Sequence, residues 1–270
     1  MHNKIILLLS LPLTALLIWV SCVGLCTPGF YVAETAIWQA QAIGQDIFDL
    51  FVVVPCLLIS SILAYRNNRN ATMIWGGTTL YLTYTFVIYC FDVHFNKLFV
   101  LYCLTLGLSF YNSLYFLFIQ YKEQTKEDFK TTIALRSIAA FFIILSVLFN
   151  ILWLAEIIPS ILHNTVPKSV AEGGSLTNAV HVIDLAVILP GFFITAVLLL
   201  KRKSLGLLLT PMFLSFSILM ALSIGVLMVV MKLKGVEADL SVSAMMGILA
   251  LIGFTLLLFF FQKPKTTTTL

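Results

Sequence analysis

The sequence predicts an all-α, polytopic membrane helix bundle. It expects eight transmembrane helices, built as two tandem four-helix repeats with both termini cytoplasmic. Three observations predict this. The 270 residues are 60% hydrophobic and only 10% charged, whereas a soluble domain carries about 25% charged residues. The apolar residues gather in runs long enough to cross a bilayer, for which about 20 residues suffice. The basic residues cluster at the ends of those runs, as they do beside membrane spans.

In order, the spans cover roughly 5–26, 46–65, 72–92, 98–120, 134–157, 182–200, 205–231 and 242–262. The first follows Met1-His2-Asn3-Lys4 and has the outline of a signal peptide. Its apolar run continues to Cys26 without a small-x-small cleavage site, so it is read as a retained span. The outer connector 27–45 holds Glu34 and Trp38 and no basic residue. The second span opens on Asp46 and Asp49 and ends at Arg66. The third and fourth are rich in tyrosine, with Asp92, His94 and Asn96 between them and a polar stripe of Ser109, Asn112 and Ser113. The inner connector Tyr121–Arg136 mixes both charges and reads as solvated chain. In the fifth span Asn150, Trp153 and Glu156 share one helical side. The outer connector 158–181 contains Gly173-Gly174, and either long outer connector could hold a short interfacial helix. The sixth span carries Asp184, and the seventh and eighth complete the second half. The domains are thus 1–130, 131–262 and a Thr-rich tail, 263–270, expected to be disordered.

The repeat rests on two segments 135 residues apart. Asp49-Leu50 is followed by Pro55, and Asp184-Leu185 by Pro190. Each acid stands 17 residues before a basic cluster, Arg66 or Lys201-Arg202-Lys203. Four crossings return a chain to its starting side, so the halves would be parallel repeats related by an axis along the membrane normal.

Charge fixes the expected orientation. Lys4, Arg66, Arg69, Lys122, Lys126, Lys130, Arg136, Lys201, Arg202, Lys203, Lys263 and Lys265 fall on one side, against Lys97, Lys168, Lys232 and Lys234 on the other. Positive charge favours the inside, so both ends are placed in the cytoplasm. The net charge of +4 is spread over helix ends and makes no nucleic-acid surface.

Asp46 and Asp49 lie three apart, as do His181 and Asp184, and residues three apart share a helix face. Ionisable groups inside a span are functional candidates by default. If the two second helices face each other, three carboxylates and an imidazole converge, with Glu156 in support. Asp49, His181 and Asp184 could then hold a divalent metal, since mixed N/O sets suit Mn, Fe or Zn. The same groups could exchange protons. The alternative is that the acids only cap helix starts, which fits Asp46 best. Pro55 and Pro190 free the carbonyls of Phe51 and Ala186 and are candidate hinges. The five cysteines include Cys22 and Cys26 on one helix and form no CxxC motif, so they read as packing residues. No P-loop, GxGxxG after a strand, HExxH or GxSxG occurs.

The stretch His94-Phe95-Asn96-Lys97-Leu98-Phe99, then Tyr102 and Leu108-Ser109-Phe110-Tyr111, resembles a family of uncharacterised bacterial multi-pass membrane proteins. His181–Pro190 with the basic cluster after it is similar to the same family. The resemblance implies a bacterial inner-membrane setting and no particular activity. The expected protein sits in the lipid bilayer and binds or transports a small ion or solute near its outer face. The alternatives are a metal-dependent membrane enzyme or redox-linked factor, and a sensor or assembly protein with no solute pathway.

Overall fold

The computed structural model describes residues 2–123 and 132–262, and among them it contains helices and no strand. The expected tail and the middle of the inner connector lie outside the described residues. Helix α1 is His2–Cys26. Helix α2, Ala36–Phe48, runs through a π turn, Asp49–Val53, into α3, Val54–Tyr65. Then come α4, Arg69–Phe91, α5, Phe99–Glu123, and α6, Thr132–Leu162. A short α7, Lys168–Gly173, lies in the second long connector. Helix α8, Ala179–Ile183, runs through a second π turn, Asp184–Ile188, into α9, Leu189–Leu200. Helices α10, Ser204–Leu233, and α11, Leu240–Phe261, close the chain.

Seven of these helices are long and apolar enough to cross a membrane. Among the long helices described the exception is α4, and its surroundings explain why. It is buried at 14 of its 23 residues, between α3, α5 and α10. A helix enclosed by protein has no need of an apolar coat. The hydroxyls of Thr72, Thr78, Thr79 and Thr83 donate to carbonyls of their own helix, which satisfies them without solvent. By contrast Ile144, Ile151, Ile194, Leu251 and Phe254 point outward and are each about half exposed or more. A water-soluble surface would not present such a belt.

The first four long helices close a ring. Helix α1 packs on α2 and α3, α3 on α4, α4 on α5, and α5 back on α1. The last four close the same ring: α6 on α9, α9 on α10, α10 on α11, and α11 back on α6. The rings meet through α4 and α10, which approach closely because Gly77 has no side chain. A Cβ there would strike the Ser215 side chain and come within 2.6 Å of the Met212 carbonyl. Flanking this joint, α10 also packs on α2 and α4 on α8.

Local structure agrees in register as well. Positions 49 and 184 each begin a π turn. Pro55 and Pro190 each enter the first turn of the following helix. Asn67 and Arg202 each turn the chain at positive φ, of 66° and 53°. Arg69 and Ser204 each begin the next helix. Every one of these pairs carries the 135-residue spacing of the two Asp-Leu motifs.

The second span departs from its expected start. Helix α2 begins at Ala36, where Thr35 accepts the Trp38 N–H as N-cap. Asp46 therefore lies well inside a 30-residue helix and does not cap it. The connector read as 27–45 is correspondingly short, and of the two long connectors only the second holds a short helix, α7.

Candidate functional site

The first acidic centre is built where α2 gives way to its π turn. Pro55 has no N–H, so the α ladder cannot continue past it, and the chain accommodates one extra residue. The Val54 N–H reaches back five residues to the Asp49 carbonyl. Asp46 and Asp49 are 0% and 1% exposed. The Tyr31 hydroxyl donates to Asp46 Oδ2 at 2.7 Å, and the Tyr89 hydroxyl donates to Oδ1 at 3.0 Å. Burial first, and then the Asp46 charge, hold the Tyr31 hydroxyl well above its usual pKa, so it stays a donor. Gly24 of α1 makes room, since a Cβ there would run into the Asp46 carboxylate and lie 2.7 Å from the Tyr31 oxygen.

Asp49 takes its hydrogen bond from Gln45, whose Nε2 donates to Asp49 Oδ1 and to the Tyr81 oxygen, both at 2.8 Å. The Ser223 hydroxyl of α10 donates to the same amide's Oε1 at 2.8 Å. A side chain of the second half thus helps hold the acid of the first.

The second centre lies at the start of α8. Asn178 accepts the His181 N–H as N-cap, and Asp92, at the end of α4, accepts the Ala179 N–H at 2.7 Å. Asp184 opens the second π turn, 8% exposed. The Trp153 indole donates to its Oδ2 at 2.9 Å, and the Tyr84 hydroxyl lies against it. The Trp153 ring also stands 4.7 Å from the His181 ring. His181 Nε2 is buried and has no hydrogen-bond partner among the described residues, with Glu156 Oε2 at 3.8 Å. The other Glu156 oxygen accepts the Ser169 N–H at 2.7 Å, which ties α6 to α7.

Asp46 therefore sits with Asp49, and Glu156 and His181 with Asp184, but the two groups remain separate. The expected convergence of second helices does not occur, because α4 and α10 pack between them. Among the described residues no three His, Cys, Asp or Glu side chains are placed to hold a metal ion, so Asp49, His181 and Asp184 are not gathered into one centre. What joins the groups is α4. Tyr89 and Tyr81 face the first centre, while Tyr84 and Asp92 face the second. The tyrosine enrichment of the third span was the available signal for this. Tyr31, Gln45 and Ser223 had no such signal, except that Gln45 stands one helical turn before Asp49.

Asp46, Asp49 and Asp184 are buried carboxylates held by neutral donors. None of the ion pairs among the described residues involves Asp46, Asp49 or Asp184. An ionised carboxylate in such a place is costly unless a cation or a proton neutralises it. No protein-family model, curated protein or solved structure matches this chain.

Proposed function

We propose that this is a multi-pass membrane protein that binds, and passes across the bilayer, a small cation or a proton at the paired acids Asp46 and Asp49, with Asp184, His181 and Glu156 as the equivalent centre of a second, tandem half. The observation that carries this reading is the burial of Asp46 and Asp49 side by side with only amide and hydroxyl partners. Acids used purely for packing would be expected to find a basic partner or a helix N-terminus. In this reading α4 is the eighth span and both termini are cytoplasmic. Pro55 and Pro190 are the points about which each second helix flexes. The charge bias across the connectors and the apolar outer surface support a membrane setting with the basic connectors inside, and in this reading the membrane is a bacterial inner membrane. A divalent metal is the weaker occupant, because among the described residues no three His, Cys, Asp or Glu side chains are placed to hold one.

The test is labelling by a hydrophobic carbodiimide, which attacks protonated carboxyl groups within membranes. In native membranes the reagent is expected to modify Asp46 or Asp49, and Asp184. Asp→Asn substitution should remove the label at each site. Sodium, potassium or calcium, added singly, should protect if that ion is the occupant, and alkaline pH should protect if the occupant is a proton. Absence of labelling at all three acids would reduce them to packing groups and favour a sensor or assembly role. Flux of the protecting ion into proteoliposomes then separates transport from binding.

A further inference from the structure

Helices α4 and α5 form an antiparallel hairpin closed by residues 92–98, and their register can be followed at three levels. Gly76 lies under the Phe116 ring, where a Cβ would come within 2.7 Å. The Ser113 hydroxyl donates to Thr79 Oγ1 at 3.1 Å. Near the hairpin's end, the rings of Tyr89 and Tyr102 meet edge to face at 5.1 Å. One residue beyond that pair on each helix stand Cys90 and Cys103, which the antiparallel register sets on the same flank of the hairpin, near enough for each thiol to feel the other. Cys90 is half-buried and Cys103 exposed, so a small reagent can reach the pair. The other cysteines differ. Cys22 and Cys26 share one helix, and Cys56 contacts the Thr78 hydroxyl at 3.4 Å.

We propose that Cys90 and Cys103 are a redox pair that closes to a disulfide joining α4 to α5. The register of the hairpin brings together two side chains that the sequence separates by a full turn of chain reversal. Closing breaks two S–H bonds and forms one S–S bond. The two thiols give up two electrons and two protons to the oxidant, a quinone dissolved in the bilayer, which becomes the hydroquinone. Cys103, the exposed thiol, meets the quinone first, and the Cys90 sulfur then attacks the Cys103 sulfur as the hydroquinone leaves. The bond would fix the neighbouring Tyr89, which donates to Asp46, and Tyr102 beside it. This inference rests on the hairpin alone and stands or falls apart from the ion-binding reading.

The experiment treats native membranes with a water-soluble quinone or with diamide, which accepts the same two electrons and two protons. Free thiols are then blocked with light N-ethylmaleimide, disulfides reduced, and the released thiols blocked with the heavy reagent. Peptide mass spectrometry is expected to find heavy label on Cys90 and Cys103 and light label on Cys56. Without reduction, the crosslinked peptide should be found directly in the wild type, which needs no variant to fold. Cys103→Ser should return Cys90 to the light label. Light label on both residues after oxidation would overturn the proposal. So would a Cys90 that is still oxidised when Cys103 is serine.

Discussion

At the scale of the residue, the chemistry turns on carboxylates whose partners carry no charge. Asp46 is held by two tyrosine hydroxyls and Asp49 by one amide, and both are sealed from solvent. Such an arrangement depends on small neighbours as much as on donors. Gly24 is where α1 passes over Asp46, and Gly107 on α5 has open space around it. Gly24→Ala should therefore lower stability by about 1–3 kcal/mol through overpacking, while Gly107→Ala leaves it unchanged or slightly raised. The midpoint of thermal unfolding in detergent, followed by tryptophan fluorescence, compares the two. Equal midpoints would mean that α1 does not press on Asp46. At this scale the sequence was half legible. Asp49 and Asp184 declared themselves by burial in apolar runs at matched spacing. Tyr31 and Ser223 did not, because Tyr31 reaches Asp46 across a chain reversal and Ser223 reaches the Gln45 amide from the other half of the chain; Gln45 was marked only by standing one turn before Asp49.

At the scale of the element, the two π turns are the defining local event. Each adds one residue to a helix just before a proline, and one residue corresponds to about 100° of rotation. The faces of α2 and α3 are thereby set independently. Removing the extra residue should restore an ordinary ladder, provided the proline goes too. Deleting Val52 together with Pro55→Ala is expected to give a protein that still elutes as a single detergent-solubilised species on size exclusion. Deleting Leu58 within α3, where no residue is spare, should abolish that species. Equal loss in both would show that the π turn is not a tolerated insertion. Proline at 55 and 190 was enough to foresee an interrupted helix. The slip of the ladder to five-residue bonds was not foreseen, since the freed carbonyls alone do not say how the backbone re-pairs. The early start of α2 was missed because Gln39, Gln41 and Gly44 lower the hydropathy of residues that pack on α10. A Cβ at Gly44 would lie 3.1 Å from Leu227 Cα. Thr35, a good N-cap, was the overlooked sign.

At the scale of the whole molecule, two rings of four helices meet across α4 and α10. Seven members are long and apolar enough to cross a membrane, and α4, read from the sequence as a span over 72–92, is not among them. If α4 crosses the bilayer, its two ends face opposite compartments. Asn67→Cys, before α4, and Phe95→Cys, after it, should then differ in cysteine-free background. An impermeant maleimide added to spheroplasts is expected to label position 95 and to reach position 67 only after lysis. Labelling of both from outside would remove α4 from the membrane-crossing set and break the parallel relation of the halves.

The hydroxyl-rich surface of α4 also bears on how the chain is made. A segment carrying five threonines and three tyrosines at buried or half-buried positions gains little from oil when it leaves the ribosome, because its proper surroundings are other parts of the same polypeptide. If α4 enters the bilayer, it needs the shelter of α3 and α5 during insertion, and α10, synthesised more than a hundred residues later, completes the enclosure.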